Sequence, residues 1–335
     1  MIFVMKPGAT EAEVDHLIEL IEKHKLNPHV SKGTERTIVG ARGDERILRA
    51  LPLRAVPGVE RVIPVLKPYK LAARELHPHG SLIPVGDARV GAGSFMTVAG
   101  PCTVENRERL EDVAVAIKRA GADALRGGAF KPRTSPYSFQ GLGEEGLKYL
   151  REVGDSTGLP VVTEIRDLRH VELVARYADC LQVGARNMQN FDLLTELGRI
   201  HKPVLLKRGM SATASDLLFA SEYVLAEGNH HVILCERGIR TFETATRFTL
   251  DVSAIGVLKS ESHLPVIVDP SHAAGRADLV EGLALAAVAA GADGLIVEVH
   301  PCPEEAVCDG EQALLPGGFA ELMSKVAAIR EIVGS

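Results

Sequence analysis

No stretch of this 335-residue chain approaches the roughly 18 consecutive apolar residues that a membrane-spanning helix needs. The first ten residues, MIFVMKPGAT, hold too short an apolar run and no small-residue cleavage site, so no membrane association is expected and a cytoplasmic location is the default. There is no surplus of positive charge either. The 38 Lys and Arg against 44 Asp and Glu give a net charge of −6 and a pI near 6.1, which excludes a general attraction to nucleic acid or anionic lipid. Five cysteines, at 102, 180, 235, 302 and 308, are an odd number without CxxC spacing, which argues against a disulfide framework. Low-complexity tracts are missing, and the absence of tryptophan decides nothing. With 46% hydrophobic residues the chain can bury a substantial core, and its length suits one large domain plus a small one.

From about residue 95 onward, short apolar runs recur at regular intervals: FMTVAG (95–100), DALRGG (123–128), VVTEI (161–165), CLQVGAR (180–186), VLLKR (204–208), VILCER (232–237), VIVDPSH (266–272) and LIVEVH (295–300). Continuous rather than alternating Val/Ile/Leu runs mark strands buried on both faces of a parallel sheet, and each is followed by enough chain for a helix. Eight such units predict an α/β fold, a (β/α)8 TIM barrel, whose active site lies at the C-terminal ends of the strands. Cys102, Arg126, Glu164, Arg186, Lys207, Arg237, His272 and Glu298 fall there.

Residues 1–66 have a different rhythm, a βαββαβ order that predicts a small α+β ferredoxin-like (ACT-like) domain preceding the barrel. Its first helix has Thr10 as N-cap, Glu11 and Glu13 in the first turn, and an apolar stripe of Val14, Leu17, Ile18 and Ile21. Residues 67–83, rich in Pro and His turns, are expected to be a linker, and 84–335 the barrel domain. IPVGDARVGAG opens that domain as a hairpin around Gly86-Asp87, placed at the bottom of the barrel as a cap.

Two constellations carry chemistry. Cys102, His272, Glu298 and Asp309 could make one metal site, and a thiolate, an imidazole and two carboxylates suit a borderline divalent ion such as Mn, Fe, Zn or Co. The plainer alternative makes Cys102 a small buried hydrophobe and His272 a helix cap. Cys180, Cys235 and Cys302 read as core or loop residues, whereas Cys308 adjoins Asp309. Arg126, Lys131, Arg133, Arg186, Lys207, Arg208 and Arg237 crowd the strand ends of a chain that is acidic overall. Anionic substrates, phosphorylated and carboxylated, would neutralise them; ordinary rim ion pairs with Glu164, Glu236 or Asp269 are the alternative. Thr134 and Ser135 add hydroxyls beside Arg133 for a phosphate, and His300 either faces the same cavity or is a satisfied histidine behind it.

The motifs AGPC (99–102), LRGG (125–128), KPRTSPYSFQG (131–141), GARN (184–187), LLKRG (205–209), CERG (235–238), DPSH (269–272) and VEVHP (297–301) together resemble those of 3-deoxy-D-arabino-heptulosonate 7-phosphate (DAHP) synthases. The likeness covers the whole barrel, and residues 1–66 resemble the regulatory extension of the beta subgroup. Thr103 and Ala273-Ala274 depart from the family pattern without removing a functional group. The resemblance implies condensation of phosphoenolpyruvate with erythrose 4-phosphate at the entry to the shikimate pathway. It maps Cys102, His272, Glu298 and Asp309 onto metal ligands. Arg126, Lys131, Arg186, Lys207 and Arg237 map onto the phosphoenolpyruvate site, with Lys131 also as proton donor, and Arg133, Thr134 and Ser135 onto the sugar-phosphate end. It further implies a homotetramer and feedback inhibition by an aromatic amino acid, Tyr or Phe, with His29 and Ser31 at the inhibitor site. KPRT at 131–134 separates this family from its octulosonate 8-phosphate sisters, which remain the nearest alternative; a non-catalytic amino-acid sensor is the second.

Overall fold

The computed structural model describes residues 1–33, 36–43, 48, 51, 53–63, 69–131 and 137–334. The chain forms two compact units, Met1–His79 and Gly80–Ser335.

In the first unit, β1 (Ile2–Met5), β2 (Asn27–Lys32), β3 (Thr37–Arg42) and β4 (Val59–Ile63) form an antiparallel sheet in the order β2-β3-β1-β4. The central β1 is flanked by the third and fourth strands, the split arrangement of a ferredoxin-like sandwich. The helix Glu11–Lys23 covers one face. Thr10 caps it in a capping box with Glu13, and Val14, Leu17 and Ile21 pack against Phe3, Met5 and Val39. The second helical stretch expected between β3 and β4 falls largely outside the described residues.

In the second unit, a hairpin of β5 (Ile83–Val85) and β6 (Ala88–Val90) precedes the eight runs read from the sequence. Those runs are β7 (Met96–Gly100), β8 (Ala124–Arg126), β9 (Val161–Ile165), β10 (Cys180–Val183), β11 (Val204–Lys207), β12 (Val232–Glu236), β13 (Val266–Val268) and β14 (Gly294–Glu298), joined in chain order into a closed parallel barrel. Closure pairs β14 with β7 in a register that sets Glu298 level with Gly100. Inward side chains of Met96, Val98, Val162, Leu205, Ile233, Ile267 and Ile296 fill the barrel, and Ile83, Val85 and Val90 of the hairpin belong to the same cluster. Cys180 and Cys235 lie in this core. Interior packing of this density makes truncation of Leu205 or Ile267 to alanine cost about 2–5 kcal/mol. No helix among the described residues is long and apolar enough to cross a membrane.

Candidate active site

The upper end of the barrel encloses a cavity of about 290 Å³. Arg126, Lys131, Arg186, Lys207, Arg237 and Arg247 line it, together with Glu164, His272, Cys308 and Asp309. The strands place these groups: Arg126 ends β8, Lys207 ends β11, Glu298 ends β14, and Cys102, Arg237 and His272 lie within a few residues of β7, β12 and β13. Two glycines make room for reactive side chains. A Cβ at Gly184 would stand 2.1 Å from the Glu164 carboxylate, and one at Gly128 would stand 2.7 Å from the Lys131 side chain.

Cys102, His272, Glu298 and Asp309 converge, with one donor atom from each within 4.8 Å of all the others. His272 Nδ1 lies 2.8 Å from Asp269 Oδ2, and the His272 backbone N–H donates to the same carboxylate at 2.9 Å. Asp269, fully buried and held well below the usual carboxylate range by His272 and Lys207 despite its burial, thus keeps the proton on Nδ1 and leaves the Nε2 lone pair free. That lone pair points at Glu298 Oε1, 3.3 Å away, with Asp309 Oδ2 at 4.0 Å. Burial pushes the His272 pKa down, which keeps the ring neutral. Cys102 Sγ stands 3.3 Å from Asp309 Oδ2. Its thiol is pushed up by the contact with Cys308 Sγ at 3.6 Å, by burial and by Glu298. A neutral imidazole nitrogen, two carboxylates and a sulfur thus bring four ligating groups of mixed softness together at one point, with Arg126 and Lys131 donating to them from the side. The donor set therefore fits a divalent transition metal.

Around this cluster the basic groups fall into two kinds. Arg126 donates to Glu298 Oε1 at 2.6 Å and to the Cys102 carbonyl at 3.2 Å, and Lys207 pairs with Asp269. Lys131 Nζ donates to the Cys102 carbonyl at 3.0 Å and to its sulfur at 3.1 Å. Burial works against the Lys131 charge, but Cys102, Glu164 and Cys308 more than offset it and hold the ammonium above the ordinary lysine range. Arg186 and Arg237 have no carboxylate partner among the described residues. Arg237 lies 4.0 Å over the ring of Phe248, is 5% exposed, and has its pKa pressed down by burial. Six basic side chains thus share the cavity region with the carboxylates of Glu164, Asp269, Glu298 and Asp309. The surplus favours a multiply charged anion.

Arg208 does not join this set. It is buried against Glu236 at 2.8 Å and Asp251 at 3.0 Å, the rim ion pairing that was the alternative for such residues. His300 also stays out of the cavity lining: its Nδ1 accepts from the Cys302 backbone N–H at 3.1 Å and its Nε2 faces Glu105 at 3.4 Å. Arg133, Thr134 and Ser135 lie outside the described residues. His29 and Ser31 sit two apart on the edge strand β2 of the first unit, paired with Gly40 and Ile38, and therefore point to one side of the sheet. Ser31 Oγ lies 3.2 Å from His77 Nδ1, and His29 lines a small cavity with Met1, Gly40, Arg42 and Leu76. The sequence reading missed Arg247 and Gln312, which touch the cluster from loops without a strand-end signal.

Known proteins give independent findings. Residues 73–334 match the model of the DAHP synthetase I family, and residues 1–67 match the DAHP synthase ferredoxin-like domain. Phospho-2-dehydro-3-deoxyheptonate aldolase of Thermotoga maritima is 52% identical over 334 residues, covering 100% of this chain and 99% of the relative. The 2-dehydro-3-deoxyphosphooctonate aldolase of Geobacter sulfurreducens is 32% identical over 276 residues, 75% of this chain and 98% of the relative. A crystal structure of the Thermotoga maritima DAHP synthase superposes with a TM-score of 0.79 at 51% identity, covering 99% of this chain and 98% of that one. On the strength of the barrel match and of full-length identity to one of its members, the chain belongs to the DAHP synthetase I family.

Proposed function

We propose that the upper cavity condenses phosphoenolpyruvate with D-erythrose 4-phosphate and water, giving DAHP and inorganic phosphate, the first step of the shikimate pathway towards chorismate and the aromatic amino acids. The observation that carries this reading is the pairing, in one cavity, of a surplus of buried cations with a thiol, imidazole and carboxylate cluster. Arg186, Arg237, Lys207 and Arg126 hold the phosphate and carboxylate of phosphoenolpyruvate by charge-assisted hydrogen bonds. Arg133, Thr134 and Ser135 take the phosphate of the sugar. Cys102, His272, Glu298 and Asp309 hold a divalent ion, Mn, Fe, Zn or Co. Bound there, it supplies Lewis-acid polarisation of the aldehyde oxygen.

Carbon–carbon bond formation between the enol carbon and the aldehyde carbon puts negative charge on that oxygen. Lys131, held protonated by its neighbours, donates a hydrogen bond and then a proton to it. Water adds to the carbon bearing the phosphate ester, and the bond from that carbon to the ester oxygen breaks as phosphate leaves. Glu164, which lines the cavity, is one candidate to accept the proton of that water.

In the first unit, His29 and Ser31 form part of a binding place for Tyr or Phe as feedback inhibitor. The protein works as a cytoplasmic homotetramer. The identity to octulosonate aldolases favours the sister reaction as a second reading, and KPRT at 131–134 together with the ferredoxin-like domain speaks against it.

The test is release of phosphate from phosphoenolpyruvate, with erythrose 4-phosphate or arabinose 5-phosphate, with and without EDTA, on the native chain and on Cys102→Ala. Release that requires erythrose 4-phosphate and is lost with chelator and with the substitution is the expected result. Metal-replete protein showing no aldehyde-dependent release would overturn the assignment.

A further inference from the structure

Behind the Cys-His-carboxylate cluster lies a neutral, buried side chain that bonds to one of its carboxylates. Gln312 is 2% exposed and lies in the short turn Gly310–Gln312, just after Asp309. Its Nε2 donates to Glu298 Oε2 at 2.6 Å, and its Oε1 accepts from Arg247 Nη1 at 3.0 Å. A carboxylate on one side and a guanidinium on the other admit only this orientation of the amide. Arg247 Nη1 in turn stands 3.3 Å from Asp309 Oδ1. Arg247 is itself set by its backbone, whose N–H donates to the Ala274 carbonyl at 3.0 Å, two residues beyond His272. A Cβ at Gly275 would come within 2.5 Å of the Arg247 side chain, so the glycine leaves space for it.

We infer that Gln312 and Arg247 form a clamp that presents both carboxylates of the cluster to the metal. Gln312 takes up Oε2 of Glu298, so that Oε1 is the oxygen turned to His272, and Arg247 takes up Oδ1 of Asp309, so that Oδ2 is the oxygen turned to His272 and Cys102. One amide–guanidinium hydrogen bond joins the two halves. Both are positioning residues: they act through Glu298 and Asp309. Without Gln312 the Glu298 carboxylate keeps its bond from Arg126 at Oε1 but loses its donor at Oε2, so that the tilt of the carboxylate plane is no longer fixed from both sides. Groups that orient ligands in this way characteristically set metal affinity by factors of ten or more.

The inference rests on the metal site proposed above, and its test separates the two. Zn²⁺ affinity is measured by competition with a chromogenic chelator for the native chain, Cys102→Ala, Gln312→Leu and Arg247→Gln, beside the melting temperature in EDTA. The expected result is loss of Zn²⁺ binding in Cys102→Ala and weakening by roughly 10- to 100-fold in Gln312→Leu. For Gln312→Leu the metal-free melting temperature stays near native, and KM for phosphoenolpyruvate changes far less than Zn²⁺ affinity. A purely structural role would move the melting temperature and leave the affinity of the folded fraction alone. Gln312→Leu binding Zn²⁺ within about twofold of native, while Cys102→Ala does not bind it, overturns the clamp and leaves the metal site standing. A native chain that binds no Zn²⁺ overturns both. If Gln312→Leu does not fold, the half-exposed Arg247→Gln carries the test, with about fivefold weakening expected and native-like affinity overturning the clamp.

Discussion

The two ends of the barrel handle charge in opposite ways. At the lower end, an aspartate just before a strand reaches across to the neighbouring strand and takes a backbone N–H at its start. Asp123 accepts from Thr97 at 2.7 Å, Asp179 from Val161 at 2.7 Å and Asp293 from Val266 at 2.9 Å. Each also donates its own N–H back to that strand or its partner residue: Asp123 to Thr97, Asp179 to Val161 and Asp293 to Val266. A helix cation then closes two of these clips, Arg151 on Asp179 at 2.8 Å and Lys259 on Asp293 at 2.7 Å. There the charges serve the backbone and leave nothing to bind a ligand. At the upper end, four ligating groups converge in the Cys102 cluster, and Arg186 and Arg237 face the cavity without carboxylates among the described residues. The same architecture thus ties its charges to backbone where it holds itself together, and where it binds it keeps two cations, Arg186 and Arg237, beyond those its own carboxylates pair.

The sharpest way to break this comparison is Arg237→Met. Arg237 is a desolvated guanidinium whose pKa burial pushes down, so removing its charge relieves the fold. Removing it also deletes one side of a buried ion pair with substrate, a loss of about 2–5 kcal/mol, or roughly 30- to several-thousand-fold in kcat/KM for phosphoenolpyruvate. Expected together are that loss in steady-state kinetics and a melting temperature equal to or above native. A melting temperature several degrees lower would mean that Arg237 is a structural residue and that the two ends do not differ as described.

Asp179→Ala should do the reverse. It orphans the Val161 N–H at the foot of β9 and leaves Arg151 without one of its partners, at a cost of about 1–3 kcal/mol. For a unit of this size that lowers the melting temperature by roughly 2–4 °C per kcal/mol. Specific activity per folded molecule should stay native. A fall in kcat/KM comparable to that of Arg237→Met would erase the distinction.

Much of this is legible in the sequence. The eight β runs emerge in barrel order because strands buried on both faces must be continuously apolar, and the four cluster residues, each with an ordinary alternative when taken singly, gain weight together because one rim of one barrel gathers them. Arg208 misled, since a basic residue after a strand reads alike whether it faces the cavity or, as here, turns outward to Glu236 and Asp251. Gln312 and Arg247 were silent for another reason. An amide advertises no chemistry, and what it touches depends on loop paths fixed by contacts 14 and 65 residues away in sequence. The lower clips recur as Ala-Asp at 122–123, 178–179 and 292–293, a pattern that carries no catalytic signature and so passes beneath a reading aimed at strand C-termini.

The smallest effect tests the comparison from within, because the upper end also has a charge that serves only the backbone. Asp216 opens the helix Ala214–Ala226, where it and Thr213 form a capping box, its carboxylate accepting from the Thr213 N–H at 2.8 Å. That N–H and the Thr213 hydroxyl draw the Asp216 pKa below the ordinary aspartate value. A carboxylate depressed in the native state stabilises the fold above its unfolded pKa of about 3.9, and the contribution fades as pH falls through the lower native value. Asp216 is largely solvated, so Asp216→Ala should lower the unfolding free energy from urea titration by only a few tenths of a kcal/mol to about 1 kcal/mol at neutral pH. The difference from native should shrink as the pH is lowered below 4 or so, with kcat/KM for phosphoenolpyruvate unchanged throughout. A penalty that instead grew on acidification would show that Asp216 is not held ionised by the helix start, and a change in kcat/KM would place it with the cavity rather than with the lower clips.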